Sequence, residues 1–188
     1  MIRILIAVMT ALLLAACAAP LRVENGKLTP PPGHGYVIAA VTLDSLDHNY
    51  SDAGILLNGP AGGIRLDAQV NMNFIRAPGD EKDGTGQLHV VALPAGHYRV
   101  SELYGSWRDD SFNWMSFRKQ SRFVLDEHFD LADGQVLYLG DYHISLNFQP
   151  SFSRADTRWR DFNDLAVKRG VRDFSNITVQ WPPAPITR

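Results

Sequence analysis

The sequence contains a single cysteine, Cys17, among its 188 residues, so no disulfide can form within one chain. It also lacks an excess of charge of either sign, because eighteen Lys and Arg residues stand against twenty Asp and Glu residues. Nucleic-acid-binding domains are usually strongly basic, and the balance therefore argues against a nucleic-acid partner. No apolar run reaches the roughly twenty residues that a transmembrane helix needs.

Short motifs that mark common catalytic sites are missing as well. There is no Gly-x-Ser-x-Gly elbow, no His-Glu-x-x-His helix and no Gly-rich phosphate loop. The six histidines are scattered, with no two within five residues, and only His89, His97 and His143 could meet across adjacent strands. We therefore predict no catalytic residue, no metal and no cofactor. A pair of catalytic carboxylates is the open alternative, with candidates at Asp109, Asp110, Asp130 and Asp133.

What remains is typical of an ordinary globular protein. Hydrophobic residues make up 45% of the chain and charged residues 20%. A length of about 150 residues is usual for one domain, so the sequence predicts a single domain that is stable on its hydrophobic core.

The first sixteen residues have the pattern of a secretory signal peptide. A short basic start ending at Arg3 precedes an apolar segment, residues 4–16, that only Thr10 interrupts. The segment ends in Leu14, Ala15, Ala16 and Cys17, which resembles the lipobox of bacterial lipoproteins. In that family the Cys thiol receives a diacylglyceryl group and the signal peptidase cuts before it. The resemblance implies that the mature chain begins at Cys17 and that lipid on Cys17 attaches it to a membrane.

The residues after Cys17 refine this expectation. In Gram-negative lipoproteins an Asp directly after the Cys commonly retains the protein in the inner membrane, and Ala18 stands there instead. For a Gram-negative source the resemblance therefore implies an outer-membrane anchor that faces the periplasm, and for any other source it implies an anchor in the cell membrane. Residues 17–35 are rich in proline and glycine, and we predict that they form a semi-rigid tether between the lipid and the folded domain.

Residues 36–150 alternate between apolar and polar side chains with a period of two, which predicts an antiparallel β-sandwich of about seven to nine strands. The clearest strand is residues 64–74, and Gly140 is expected to form a bulge within a long strand over residues 135–148. Residues 136, 138, 142, 144, 146 and 148 are expected to share one face. The predicted core includes Ile64, Leu66, Val70, Tyr98, Val100, Tyr138, Ile144 and Leu146.

Residues 151–188 have a different pattern, which predicts one amphipathic helix over about residues 155–169. Ser153 and Asp156 match a capping box, and Gly170 is a suitable stop. Trp159 and Phe162 are expected to dock the helix on the sandwich. A short edge strand is expected within residues 175–181.

Two segments carry a family resemblance. Residues 93–100, LPAGHYRV, resemble the LPAGxYxV hairpin of prealbumin-like and Cna-B-like sandwich domains, and residues 129–140 resemble the approach to their last long strand. Together with the lipobox, the chain is similar to small bacterial lipoproteins with one transthyretin-like domain. The resemblance implies a β-sandwich over about residues 36–148 and no catalytic residue.

The aromatic and charged segment at residues 104–117 is the predicted binding surface. Its candidates are Tyr104, Trp107, Arg108 and Trp114, with Trp107 exposed beside a charged turn at residues 108–110. The alternative is a hairpin whose aromatic residues fill the core. We expect a non-enzymatic envelope module that binds a protein partner or a cell-wall component. The alternatives are a lipid-tethered subunit of a secretion complex, since type VI secretion lipoproteins also carry such a sandwich, and an enzyme acting on envelope glycans or peptides.

Overall fold

The computed structural model describes residues 21–47, 49–79, 82–112 and 115–180. Twelve strands and one helix lie in these ranges. The first strands are β1 (Val23–Glu24), β2 (Lys27–Leu28), β3 (His34–Asp44), β4 (Asp52–Gly59), β5 (Gly62–Gln69) and β6 (Phe74–Arg76). The others are β7 (Lys82–Pro94), β8 (Gly96–Phe112), β9 (Met115–Leu131), β10 (Val136–Ser145), β11 (Ser151–Ala155) and β12 (Ile177–Val179). The helix α1 spans Arg158–Arg169 between β11 and β12.

Two sheets stack as a sandwich, which confirms the predicted fold class. One sheet has four strands in the order β5-β4-β8-β9, and all its neighbours are antiparallel. The other sheet has six strands, in the order β11-β10-β3-β7-β6 with β12 also paired to β10. In this second sheet β10 runs parallel to both β3 and β12, which departs from a purely antiparallel sandwich. Parallel neighbours need a long connection, and the chain between β3 and β10 supplies it by forming the other sheet.

The main core lies between the sheets and largely matches the prediction from alternation. Six of the eight predicted core residues are buried, and Ile64 and Val70 are half-buried against the main core. The intervening residues of β5, Arg65, Asp67 and Gln69, are exposed as expected. The register predicted for this strand is therefore confirmed.

The predicted strand over residues 64–74 is divided in two. β5 ends at Gln69 in the four-stranded sheet, and β6 begins at Phe74 in the six-stranded sheet. Residues 70–73 turn between the sheets, where the side-chain oxygen of Asn73 accepts a hydrogen bond from the Gln69 N–H at 3.1 Å. Asn favours such local bonds, and this turn chemistry overrides the alternation.

The bulge predicted at Gly140 is present. It changes which alternate side chains of β10 point toward the other sheet. The register against β3 shifts between Tyr138 and Asp141, and Gly140 has a φ of +92°. Tyr138 consequently points away from the other sheet, whereas Tyr142 and Ile144 point toward it. The expectation that all six alternating residues share one face is wrong, because one inserted residue inverts a period of two.

A second core covers the outer face of the six-stranded sheet. It is built from the following buried residues: Leu28, Tyr36, Ile38, Ala40, Ile75, Leu88, Val136, Tyr138, Leu165 and Val171. The predicted tether is wrong over residues 21–35, because β1 and β2 form a hairpin whose Leu28 is fully buried there. Leu21 and Val23 pack against the same core and supply the apolar contacts that fold this segment. Residues 1–20, including Cys17, lie outside the described residues.

The helix begins later than predicted and ends where predicted. The capping box is wrong, because Ser153 belongs to β11 and Thr157 is the residue that precedes the helix. Asp156 accepts a hydrogen bond from the Arg158 N–H at 3.2 Å. Gly170 ends the helix in the left-handed conformation, as expected. Phe162 and Leu165 dock the helix, but Trp159 is exposed, which contradicts its expected role. In the described ranges, no helix is long and apolar enough to cross a membrane.

Candidate functional site

The residues of the predicted binding surface do not form one patch. The charged turn expected at residues 108–110 is wrong, because Arg108 and Asp109 continue β8 and pair with Arg118 and Phe117 of β9. The pairing of β8 with β4 ends at Ser106. Beyond this residue β8 pairs with β9 alone, and the two strands form a hairpin. Trp114 lies outside the described residues.

Trp107 lies on the inner face of β8 and packs half-buried against the main core. Alternation along β8 explains this, since Leu103 and Trp107 both point inward, and a Cβ added at Gly105 between them would meet Ile144 and Leu146. The prediction that Trp107 is exposed is therefore wrong. Arg108 points outward, with its guanidinium 5.0 Å from the Tyr50 ring and its backbone N–H bonded to Asp47 at 2.9 Å.

Tyr104 does lie in a cavity, on the outer face of the four-stranded sheet. We call this cavity of about 280 Å³ the sheet groove. All four strands of the sheet contribute outward-pointing side chains, because every second residue of a strand points to the same face. Its lining residues are Asp52, Leu56, Arg65, Glu102, Tyr104, Gly105, Ser106, Arg118, Gln120 and Arg122.

Tyr104 is held in the sheet groove by its neighbours on β5. The Arg65 guanidinium lies 4.5 Å from the ring centroid, and its Nε donates a hydrogen bond to the Tyr104 hydroxyl at 2.8 Å. That hydroxyl in turn donates to Asp67. Burial and the Asp67 carboxylate raise the pKa of Tyr104 well above its ordinary value, so the phenol stays protonated. A Cβ atom at Gly54 would collide with the hydroxyl, and glycine is therefore required beneath it.

The remaining charges of the sheet groove are ion pairs across strands, in which the arginines are exposed and the carboxylates are partly buried. Arg118 forms an ion pair with Asp52, which also accepts a hydrogen bond from the Ser106 hydroxyl at 2.7 Å. Arg122 lies 3.4 Å from Glu102. The side chains of both arginines are more than half exposed. Each guanidinium has five N–H donors in a fixed fork, so donors remain for a ligand.

A second cluster of charges lies beneath α1. The Arg160 guanidinium contacts Asp161 at 2.8 Å and Asp141 at 3.1 Å, and Tyr138 donates to Asp161 at 2.6 Å. The Thr42 hydroxyl donates to Asp141 at 2.8 Å. Burial raises the pKa of Asp161, and the neighbouring Arg160 offsets this only in part. The three ionic side chains are no more than 6% exposed, so this cluster fixes the helix on the sheet and offers no surface to a ligand.

The histidines do not gather as a metal site would require. His97 contacts His128, with 3.0 Å between Nε2 and Nδ1, and Asp130 lies 2.9 Å from its other nitrogen. His143 lies apart, against Thr42, and burial lowers the pKa of His89. Across the described ranges, no group of three or more His, Cys, Asp or Glu side chains is arranged to hold a metal ion.

Sequence reasoning found Tyr104 but missed the charged residues around it. Arg118, Gln120 and Arg122 alternate with a period of two, which is the signal that places them on one face of β9. Arg65 was identified only as part of a solvated strand face. No local pattern shows that it meets Tyr104, because 39 residues separate the two in the chain.

Comparison of the chain with protein families, with curated proteins and with solved structures finds no match in any of the three.

Proposed function

We propose that this protein is a lipid-anchored module of the bacterial envelope that binds a carboxylate-bearing cell-wall component and catalyses no reaction. The observation that carries the proposal is the sheet groove, where Arg65, Arg118 and Arg122 place three exposed guanidinium groups around one cavity. Planar guanidinium groups bind carboxylates through two parallel hydrogen bonds, which favours ligands with carboxylate groups.

The other polar groups of the sheet groove complement such a ligand. Asp52 and Glu102 can accept hydrogen bonds from amino or hydroxyl groups, and Gln120 can donate and accept. Peptidoglycan carries carboxylates, amino groups and hydroxyls close together, so it matches this mixture better than a ligand of a single charge. The ring of Tyr104 already contacts Arg65, which favours recognition by hydrogen bonds over stacking on a sugar.

The anchor is proposed from the lipobox that ends at Cys17. A thiolate is the nucleophile that the lipid transfer needs, and this chain has no second cysteine. Several acyl chains hold a protein stably on a membrane, which would keep the module in the outer membrane facing the periplasm. This arrangement would bring the sheet groove within reach of the cell wall.

The anchor is tested by mass spectrometry of the mature amino terminus. We expect a lipid-modified Cys17, and we expect Cys17→Ser to give an unprocessed, mislocalised protein. An unmodified Cys17 in the wild-type protein, or cleavage at another residue, would contradict the proposed anchor.

Ligand binding is tested by co-sedimentation of the detergent-solubilised protein with purified peptidoglycan sacculi. The variant Arg118→Gln/Arg122→Gln removes two guanidinium groups, and each charge-assisted hydrogen bond contributes about 1.5–3 kcal/mol, so we expect at least roughly tenfold weaker binding. The matched control is Lys27→Gln/Arg99→Gln, which removes two exposed charges outside the sheet groove. Equal binding by both variants would contradict the role of the sheet groove. If the wild-type protein does not bind sacculi but crosslinks to one envelope protein, the ligand is that protein.

A further inference from the structure

The helix α1 buries three ionic side chains and leaves its tryptophan exposed. Arg160, Asp161 and Asp164 are buried beneath it, whereas Trp159 is 58% exposed. Around Trp159 lies a shallow, mainly apolar surface that we call the helix patch. It is formed by Pro78, Trp159, Phe162, Ala166 and Phe174, with the polar side chains of Asp156, Arg158 and Asn163 also lining it. Trp159 is the large aromatic side chain of this surface that is most exposed to the solvent.

The distance between Cys17 and the folded domain restricts which side can face the membrane. The first described residue is Leu21, which packs against the second core together with Phe162 and Phe174 of the helix patch. Only four residue steps separate Cys17 from Leu21, and an extended chain covers at most about 3.6 Å per residue. An anchor on Cys17 would therefore hold this side of the sandwich within about 14 Å of the bilayer surface.

The charges on this side are mixed, because the exposed arginines are accompanied by Glu24 on the hairpin and by Asp156 at the helix patch. Arg22, Arg169 and Arg172 are exposed on the hairpin, on the end of α1 and on the segment that follows it. Basic residues near an anionic leaflet contribute about 1 kcal/mol each to membrane attraction. Tryptophan is enriched at the membrane–water interface, where its ring sits at the level of the headgroups. Trp159 and these arginines together have the composition of an interfacial contact.

We propose that the helix patch rests on the lipid headgroups of the bilayer that holds the anchor. The proposal depends on the proposed function, because it takes lipidated Cys17 as the starting point. Since the helix patch and the sheet groove lie outside opposite sheets of the sandwich, this contact points the sheet groove away from the membrane. The bilayer thereby orients the binding surface toward the cell wall.

The test uses the lipidated protein in vesicles of phosphatidylethanolamine and phosphatidylglycerol that carry nitroxide-labelled headgroups. Because Cys17 is the only native cysteine, an added cysteine can be labelled with a fluorophore at one place. Val167→Cys places the label next to the helix patch, and Val124→Cys places it on the exposed face of the four-stranded sheet. We expect several-fold stronger quenching at residue 167 than at residue 124.

Two further variants test the helix patch itself. Trp159→Ser should reduce quenching at residue 167, whereas Phe148→Ser, which removes another exposed aromatic side chain, should leave it unchanged. Equal quenching at both labels on a lipidated, vesicle-bound protein would overturn the orientation and leave the anchor intact. An unlipidated Cys17 that leaves the protein unbound would overturn the anchor and this inference together. Crosslinking of residue 167 to a protein in native envelopes, without quenching by lipid, would show that a protein covers the helix patch and would also overturn it.

Discussion

The two outer faces of the sandwich use the same charged residue types in opposite ways. Outside the six-stranded sheet, α1 covers Arg160 together with Asp141 and Asp161, and Arg160 is only 4% exposed. Outside the four-stranded sheet, no described element covers the ion pair of Arg118 with Asp52, and the Arg118 side chain is 55% exposed. Both faces therefore contain a guanidinium group in contact with a carboxylate. The two ion pairs differ in how much water surrounds them.

The hydration of each ion pair determines how much the pair contributes to the stability of the fold. A buried charge has lost its water, so removing its partner leaves an uncompensated charge in a medium of low dielectric constant. An exposed charge keeps most of its water, and its pairing contributes little to stability. The covered face therefore uses charges to fix the helix, whereas the open face keeps charges available for a ligand.

The largest expected effect comes from removing the buried guanidinium. Arg160→Met leaves the carboxylates of Asp141 and Asp161 without their cation, and we expect the free energy of unfolding to fall by about 3–5 kcal/mol. Urea unfolding measures this change. Arg118→Met, the same substitution on the open face, should cost at most about 1 kcal/mol. Similar losses in the two variants would contradict the comparison.

The next largest expected effect is a difference in the free energy of unfolding between variants of two tryptophans. Trp107 packs on the main core and Trp159 is exposed on the covered face, so their truncation to alanine should differ. We expect Trp107→Ala to lower the free energy of unfolding by about 2 kcal/mol, below the cost for a fully buried tryptophan, because Trp107 is only partly buried. Trp159→Ala should change it by less than about 0.5 kcal/mol. Thermal unfolding of both variants checks the inward direction of Trp107.

A smaller difference in the free energy of unfolding is expected between two glycine variants, one of them at the bulge that directs Tyr138 into the second core. Gly140→Ala puts a side chain at a φ of +92°, and its Cβ would lie 2.9 Å from the carbonyl oxygen of Ala155. The left-handed conformation alone costs roughly 1–2 kcal/mol, and the close contact adds to it. Gly134→Ala is the matched control, since its φ is +74° and no atom lies within 4 Å of the added Cβ. If the two variants lose the same stability, the contact with Ala155 contributes nothing.

The fold could be predicted from the sequence wherever a strand has one wet face. The alternation in β5 shows Leu66 inward and Arg65 outward, and the structure agrees. β3 shows the limit of this reasoning, because its residues 36–41 are apolar without interruption and are buried on both faces. Such a run is itself a signal of a strand covered on both sides, and it indicates a second core that period-two reasoning alone did not identify.

The candidate site and the helix contact depend on strand pairing, which the sequence does not specify. Arg160 and Thr42 both bond to Asp141, although the three residues lie far apart in the chain. From the sequence, its helix offers an apolar stripe that includes both Trp159 and Leu165. Nothing local reveals that only Leu165 faces the sheet, because partners for the buried charges exist only after β3 and β10 have paired.

The smallest expected effect is the coupling between Arg118 and Asp52 in the sheet groove. A double-mutant cycle with Arg118→Gln and Asp52→Asn should give about 0.2–1 kcal/mol, because water screens both partners and ordering two side chains costs entropy. The coupling should decrease further as salt is raised, since the Debye length falls from about 10 Å at 0.1 M to about 3 Å at 1 M. Urea unfolding of the wild-type protein, both single variants and the double variant at low and high salt measures it. A coupling of about 3 kcal/mol that resists salt would instead match a buried pair. The open face would then hold Arg118 for stability, and the sheet groove could offer this guanidinium group to a ligand only at a cost to the fold.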